Sequence, residues 1–324
     1  TKNFADTNPL YSAMNAGLSS SEKLEVPIIV KTTSGALYIM TDGDINTGWQ
    51  KIYRAAGLGG TWFEVYDASE YSGTAKISGI ASNPTKLDEI AFVVGEVYIS
   101  FGTLDTHKIY IGSGNSFTAG GFVKLKYQKY YKGMTYLDGH WFIFGHTPTG
   151  IGGSSAIPRG WKMSASGAFV AESNIGSGIG STVGGMPCYP AGASILVWGG
   201  NALGYQIVDT SLGYTHVTSE IELESNLVQA GTASPDGVNG LACDNVFGFP
   251  PYKSTDSLAT WQSAAGTIPV GSTVFENCGD ANRFLFGGGI IIRLTLDRIN
   301  YIEKAGNLPT IAGLCNVVWI RFIK

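Results

Sequence analysis

Charge is scarce in this sequence: Asp, Glu, Lys and Arg together supply 14% of its residues, where a soluble domain ordinarily has about 25%. The 21 basic and 25 acidic residues leave a net charge of −4, and no basic stripe of the kind that neutralises nucleic-acid phosphates stands out. The nearest approach, Lys124–Lys132, interleaves Lys with Tyr and reads more simply as the solvated face of a strand. Long apolar runs are missing too. The longest, Glu89–Gly95 and Gly287–Leu294, are strand-sized, well short of the roughly 20 residues a membrane helix needs. Neither a nucleic-acid partner nor membrane insertion is expected. Four Cys in 324 residues are too few for a disulfide framework. With no Cys-x-x-Cys pair and no clustered His, no zinc site and no cofactor is expected and no metal ligand is assigned; Asp42-Gly43-Asp44 reads equally as a calcium-holding turn or an ordinary one. The first residue is Thr and no signal peptide follows, which suggests a processed chain or attachment through an upstream segment.

What is abundant points one way. There are 45 Gly, and aromatics make up 12% of the chain; turns separated by Tyr-, Phe-, Val- and Ile-rich stretches are the composition of an all-β protein. A hydrophobic share of 44% supplies a large core and excludes a disordered chain.

Internal repeats set the fold. A glycine, an aliphatic residue and then small residues recur at Gly79–Ser82, Gly133–Tyr136, Gly185–Cys188 and Gly240–Cys243, with looser copies at Phe275–Cys278 and Gly313–Cys315. The clear copies are spaced by 133 − 79 = 54, 185 − 133 = 52 and 240 − 185 = 55 residues, close to the roughly 40–50 of known propeller blades. Short apolar strands follow at Ile90–Val94, Trp141–Phe144, Ile195–Trp198, Val246–Phe249 and Phe284–Phe286. These runs are continuous, as in strands covered on both faces. A third element, a strand entering a polar turn and ending on an aromatic, reads at Tyr38–Trp49, Tyr110–Phe117, Lys162–Phe169, Ile207–Tyr214, Tyr252–Trp261 and Arg293–Tyr301.

Six copies predict an all-β, six-bladed β-propeller over residues 27–324, with seven blades possible, preceded by an arm or linker at 1–26. Strand counting also predicts how the ring closes. The N-terminal copy has later strands at Leu37–Thr41 and Trp49–Tyr53 but only one candidate, Pro27–Lys31, for an earlier one, and Cys315–Ile323 lacks a later partner, so pairing the N- and C-terminal strands removes both open edges. Deleting residues 315–324 is then expected to destroy the domain.

At Ser254-Thr255-Asp256-Ser257-Leu258-Ala259-Thr260-Trp261 the turn resembles the Asp-box of sialidase-type propellers, Ser-x-Asp-x-Gly-x-Thr-Trp. Ser254, Asp256, Thr260 and Trp261 match, while Leu258 stands where the pattern has Gly. A short Asp side chain can accept from nearby backbone N–H groups and hold a tight turn, and the aromatic after it packs between blades. The resemblance implies a structural role for these four residues, away from any catalytic face.

It does not extend to the sialidase active site. Six Arg are present, none in an Arg-Ile-Pro context, and three cannot be assembled on one face as a carboxylate clamp. Carboxylates such as Asp138 and Asp236 stand in Asp-Gly turns, and the four His show no metal or triad spacing. No arrangement amounts to a catalytic site.

The second-to-third connections of a propeller share a face with the connections between blades, and most known propellers bind there. Ser100–His107 and His146–Gly160 read as long connections, and Ser173–Gly185 as a long Gly/Ser-rich one; long loops in a compact fold are usually functional. The candidate ligand-binding residues are Asp105, His107, His146, Arg159 and Tyr252. A Gly- and aromatic-rich propeller of this kind resembles, in style over the whole chain, the binding heads of phage tail fibres and related adhesins. The expected function is a receptor- or glycan-binding module, on a virion surface or otherwise extracellular, whose partner is a cell-surface glycan or protein receptor. The alternatives are a glycan-cleaving glycoside hydrolase and a scaffolding propeller in a larger assembly.

Overall fold

The computed structural model describes residues 16–23, 28–41, 43–44, 50–70, 75–96, 107–124, 133–149, 155–175, 186, 188–198, 205–217, 228–244, 252–263, 274–277, 284–288, 291–295 and 301–303. Among them are six four-stranded antiparallel sheets, each built from strands adjacent in sequence and in the sheet. The first holds Ile28–Lys31, Leu37–Met40, Lys51–Ala55 and Phe63–Asp67. The second holds Ala75–Ser82, Ile90–Glu96, His107–Ser113 and Ser116–Val123. The third holds Met134–Leu137, His140–Thr149, Ser155–Ser164 and Phe169–Asn174. The fourth holds Cys188–Ala191, Ser194–Trp198, Tyr205–Val208 and Tyr214–Val217. The fifth holds Val228–Ala233, Gly240–Asp244, Tyr252–Ser254 and Gln262–Ser263. The sixth holds Val274–Asn277, Phe284–Gly288, Ile291–Thr295 and Tyr301–Glu303. From the first sheet to the sixth, the first strand of each packs against the first strand of the next. The arrangement is all-β and propeller-like.

Residue alternation explains how the continuous apolar runs are used. Ile90, Phe92 and Val94 point into a core shared with the first sheet, through Val30, Tyr38, Met40 and Ile52. Their neighbours Ala91 and Val93 point the other way, into a core shared with Met134, Trp141, Ile143 and Trp161 of the third sheet. Phe142 and Phe144 in turn meet Ile195, Val197 and Val208 of the fourth. A strand with period-two side chains and apolar neighbours on both sides has no polar face to alternate.

The repeat needs correcting in phase. Gly79–Ser82 and Met134–Tyr136 lie on first strands, but Gly240–Cys243 lies on the second strand of its sheet, whose first strand is Val228–Ala233. Val246–Phe249 and Gly313–Cys315 lie outside the described residues. Likewise Tyr38 is on the second strand of the first sheet, so Tyr38–Trp49 leads from second to third strand. The polar turn equivalent to the other five is Ala56–Trp62, and it too ends on an aromatic, Trp62, which is buried. The connection at His146–Gly160 is also shorter than the sequence suggests. Pairing continues through His146↔Pro158 to Thr149↔Ser155, leaving 150–154 to connect the strands. Finally, the first sheet takes its four strands from residues 28–67 and the sixth from 274–303. Neither described sheet draws on Cys315–Ile323, which lies outside the described residues.

Candidate recognition surface

Antiparallel up-and-down connection gives the assembly two ends. First-to-second and third-to-fourth turns lie at one, and second-to-third and sheet-to-sheet connections at the other. Asp209, Asp236 and Asp256 in the turn end are held by hydroxyls and backbone amides of their own turns. Asp256 Oδ1 accepts from Ser254 Oγ at 2.9 Å and from the Thr260 N–H at 3.0 Å, and Thr260 Oγ1 donates to Oδ2. The Thr260 hydroxyl and amide, with Ser254, hold the Asp256 carboxyl below its usual range. Asp209 is held low in the same way, first by the Ser211 hydroxyl and then by the Ser211 and Gly213 amides. Asp236 accepts from Ser234 Oγ and from the Val238 N–H. Leu258, in the place where the box pattern has Gly, has φ +64° and is buried against Trp261. Leu212 repeats this in the fourth sheet at φ +68°.

A second polar group at this end was not assembled from the sequence. Arg54 Nη2 lies 2.9 Å from Asp88 Oδ2 and its Nε donates to Tyr38 Oη at 3.2 Å. The Gly114 N–H donates to the same Tyr38 oxygen at 2.8 Å, and Thr32 Oγ1 donates to Asp88 Oδ1 at 3.2 Å. The guanidinium also sits over the Tyr38 and Phe63 rings, 5.7 and 5.8 Å from their centroids. Burial raises the Tyr38 phenol above its usual range. These groups satisfy one another, so the network acts as a pin between the first and second sheets.

The sequence-derived candidates belong to the opposite end. Asp105 lies outside the described residues. His107 opens the third strand of the second sheet and is fully buried. His146 is 2% exposed on the second strand of the third sheet. Tyr252 opens the third strand of the fifth sheet and packs, half-buried, with Trp261 and Leu258. Arg159 pairs with Gly145, and Pro158 with His146; by strand alternation the Arg159 and His146 side chains therefore leave opposite faces of the sheet. The structure does not bring them together.

Arg159 has company of its own. Its Nη1 donates to Glu172 Oε1 and its Nε to Asn174 Oδ1, both at 3.1 Å, while Trp161 Nε1 donates to Glu172 Oε2 at 3.1 Å. Cross-strand pairing aligns these partners, Arg159 with Asn174 and Trp161 with Glu172. Trp161 is buried at 1% exposure, whereas the Arg159 and Glu172 side chains are 26% and 41% exposed. A buried indole thus fixes a half-exposed carboxylate, which orients a half-exposed guanidinium beside an exposed amide. Glu172 and Asn174 were missed in the sequence because they read as ordinary polar positions of an outer strand. Their strand alternation with the Arg159 register was the available signal. Burial pushes the Cys188 thiol far up and leaves it without nucleophilic character. Among the described residues no three His, Cys, Asp or Glu side chains converge as a metal site, and no helix is long and apolar enough to cross a membrane.

No protein-family model matches the chain, and no curated protein matches it either. Solved structures do. Saccharomyces cerevisiae Sqt1 is similar with a TM-score of 0.54 at 11% identity, covering 86% of this chain and 73% of that one. A puromycin hydrolase is similar with a TM-score of 0.51 at 11% identity, covering 86% of this chain and 45% of that one. The Trypanosoma rangeli sialidase is similar with a TM-score of 0.48 at 9% identity, covering 87% of this chain and 53% of that one. The chain spans about half the length of the hydrolase and of the sialidase. At such identities the likeness is one of fold.

Proposed function

We propose that this chain is a recognition module: a six-bladed ring of the Asp-box type that binds a cell-surface glycan or protein receptor through its connection-bearing end. Adhesin heads such as those of phage tail fibres, on a virion surface or otherwise extracellular, are the corresponding class. Ring closure is supported by the sheet order, in which the first strand of each sheet from the first to the sixth packs against the first strand of the next.

The observation that carries the recognition reading is the Arg159–Glu172–Asn174 group. It offers planar donors and acceptors already oriented by a buried Trp, and pre-oriented groups bind without paying ordering entropy. Saccharide hydroxyls are the chemistry these groups complement, each acting as donor and acceptor at once.

A screen of the purified chain against glycans and bacterial surfaces, with mass analysis of any bound saccharide, tests the proposal. The expected result is binding with the saccharide intact, weakened at least ~10-fold by Arg159→Ala, the usual size for losing one charge-assisted contact. Shortened saccharide would replace the proposal with a glycoside hydrolase. Absence of binding, with copurification in a larger particle, would replace it with a scaffold.

A further inference from the structure

Within the segment 1–26, expected as an arm or linker, residues 16–23 lie on the first sheet. We infer that they form a strap that runs the height of the first sheet and holds its second-to-third connection in place. The strap has two anchors and a middle.

At the turn end the Trp62 N–H donates to Ala16 O at 2.8 Å. Next to it Gly17 has φ +87°, and a Cβ there would stand 2.0 Å from Trp62 O and 2.7 Å from Thr61 Cγ2. Only glycine fits, on backbone conformation and on space. At the other end Glu22 and Lys23 pair antiparallel with Asp44 and Gly43, which lie between the second and third strands. Between the anchors the segment turns once, the Glu22 N–H donating to Ser19 O at 3.1 Å.

The middle is sealed by packing and by one carboxylate. Leu18 packs on the apolar face formed by Leu37, Ile39, Tyr53, Ala55 and Trp62. The Glu22 side chain is fully buried, with Oε1 accepting from Tyr53 Oη at 3.0 Å and standing 3.4 Å from Lys51 Nζ. Lys51 also reaches Glu64 at 3.0 Å. Tyr53 and Lys51 are both on the third strand, so the carboxylate sets where along that strand the segment sits. Glu22 Oε2 is buried with no partner among the described residues. Among the described residues one backbone hydrogen bond holds the first anchor and a two-residue ribbon the second, so the strap can leave the sheet while the sheet survives, and in leaving it frees the ribbon at Gly43–Asp44.

Hydrogen–deuterium exchange on the full chain tests this, whether or not the chain binds a glycan. Gly17→Ala is expected to speed exchange at least 10-fold both at Trp62 and at the distant ribbon, in peptides covering 16–23 and 43–44. Residues 90–96 and 141–144 should keep their protection. Glu22→Gln, which keeps the side chain's shape and removes its charge, should loosen the same segments from the other end. Acceleration at Trp62 without acceleration at 43–44 would overturn the inference, because the strap would not connect its anchors. Loss of protection in every sheet with both variants would also overturn it, since the segment would then be core.

Discussion

Phe92→Ala is expected to cost about 3–5 kcal/mol of folding stability, the range for deleting a buried aromatic ring, and to lower the thermal midpoint by roughly 5–15 °C. Phe92 is fully buried on the second strand of the second sheet. Its ring stacks on Tyr110 of the third strand at 5.5 Å and 7° and meets Phe117 of the fourth edge-on at 5.0 Å. It also meets Tyr66 of the first sheet at 4.7 Å. One side chain therefore ties three strands of a sheet to each other and to the next sheet. Such pairs add roughly 0.5–1.5 kcal/mol beyond area, and packing this dense leaves a cavity that the surroundings refill only in part. Chemical denaturation checks the prediction; a loss below about 1 kcal/mol would mean that the two sheets do not share this core.

Gly112→Ala is the second large effect, for a steric reason. A Cβ at Gly112 would stand 1.9 Å from Ser116 O and 2.9 Å from Phe117 Cα, both backbone atoms. Gly112 pairs with Phe117 across a two-residue turn, so the turn itself must move, at a cost of about 2–3 kcal/mol by the usual measure of overpacking. The damage spreads because the Gly114 N–H in that turn donates to Tyr38 Oη, which is bonded to Arg54. Gly114→Ala is the control. Gly114 has φ +62° but open space around its Cβ position, so it should lose only the 1–2 kcal/mol of a left-handed residue. Equal losses in the two variants, measured by urea denaturation, would contradict the account.

Much of the fold was readable in the sequence because burial on both faces leaves a mark. Ile90–Val94 and Trp141–Phe144 are continuous apolar runs for the reason the structure shows, with alternate residues serving two different cores. The phase of the repeat was harder because one letter answers several needs. Gly79 sits in a strand irregularity between Ile77 and Ile80. Gly240 is required instead by packing, since a Cβ there would stand 2.6 Å from the Trp261 ring. The two glycines look alike in sequence and stand on different strands. Tyr38–Trp49 misled similarly, because a polar turn between strands looks the same whichever pair of strands it joins.

The site was less readable. His107 and His146 are loop-like in sequence, but extended pairing carries His146 into a strand, and both rings are buried. Arg54 and Asp88 are 34 residues apart, and nothing local announces that two sheets will bring them into contact. Arg159 keeps both partial exposure and polar partners.

The central claim is that the sheets continue around into a closed ring, and spin-label distances across the turn end test it most directly. One label is placed at Thr33 of the first sheet, with the second at Asn115, Ala193 or Thr295, in the second, fourth and sixth sheets. A six-bladed ring puts the fourth sheet opposite the first and the sixth beside it. The account predicts that the Thr33–Thr295 distance is close to Thr33–Asn115 and shorter than Thr33–Ala193. A Thr33–Thr295 distance longer than Thr33–Ala193 would mean an open arc and would contradict it.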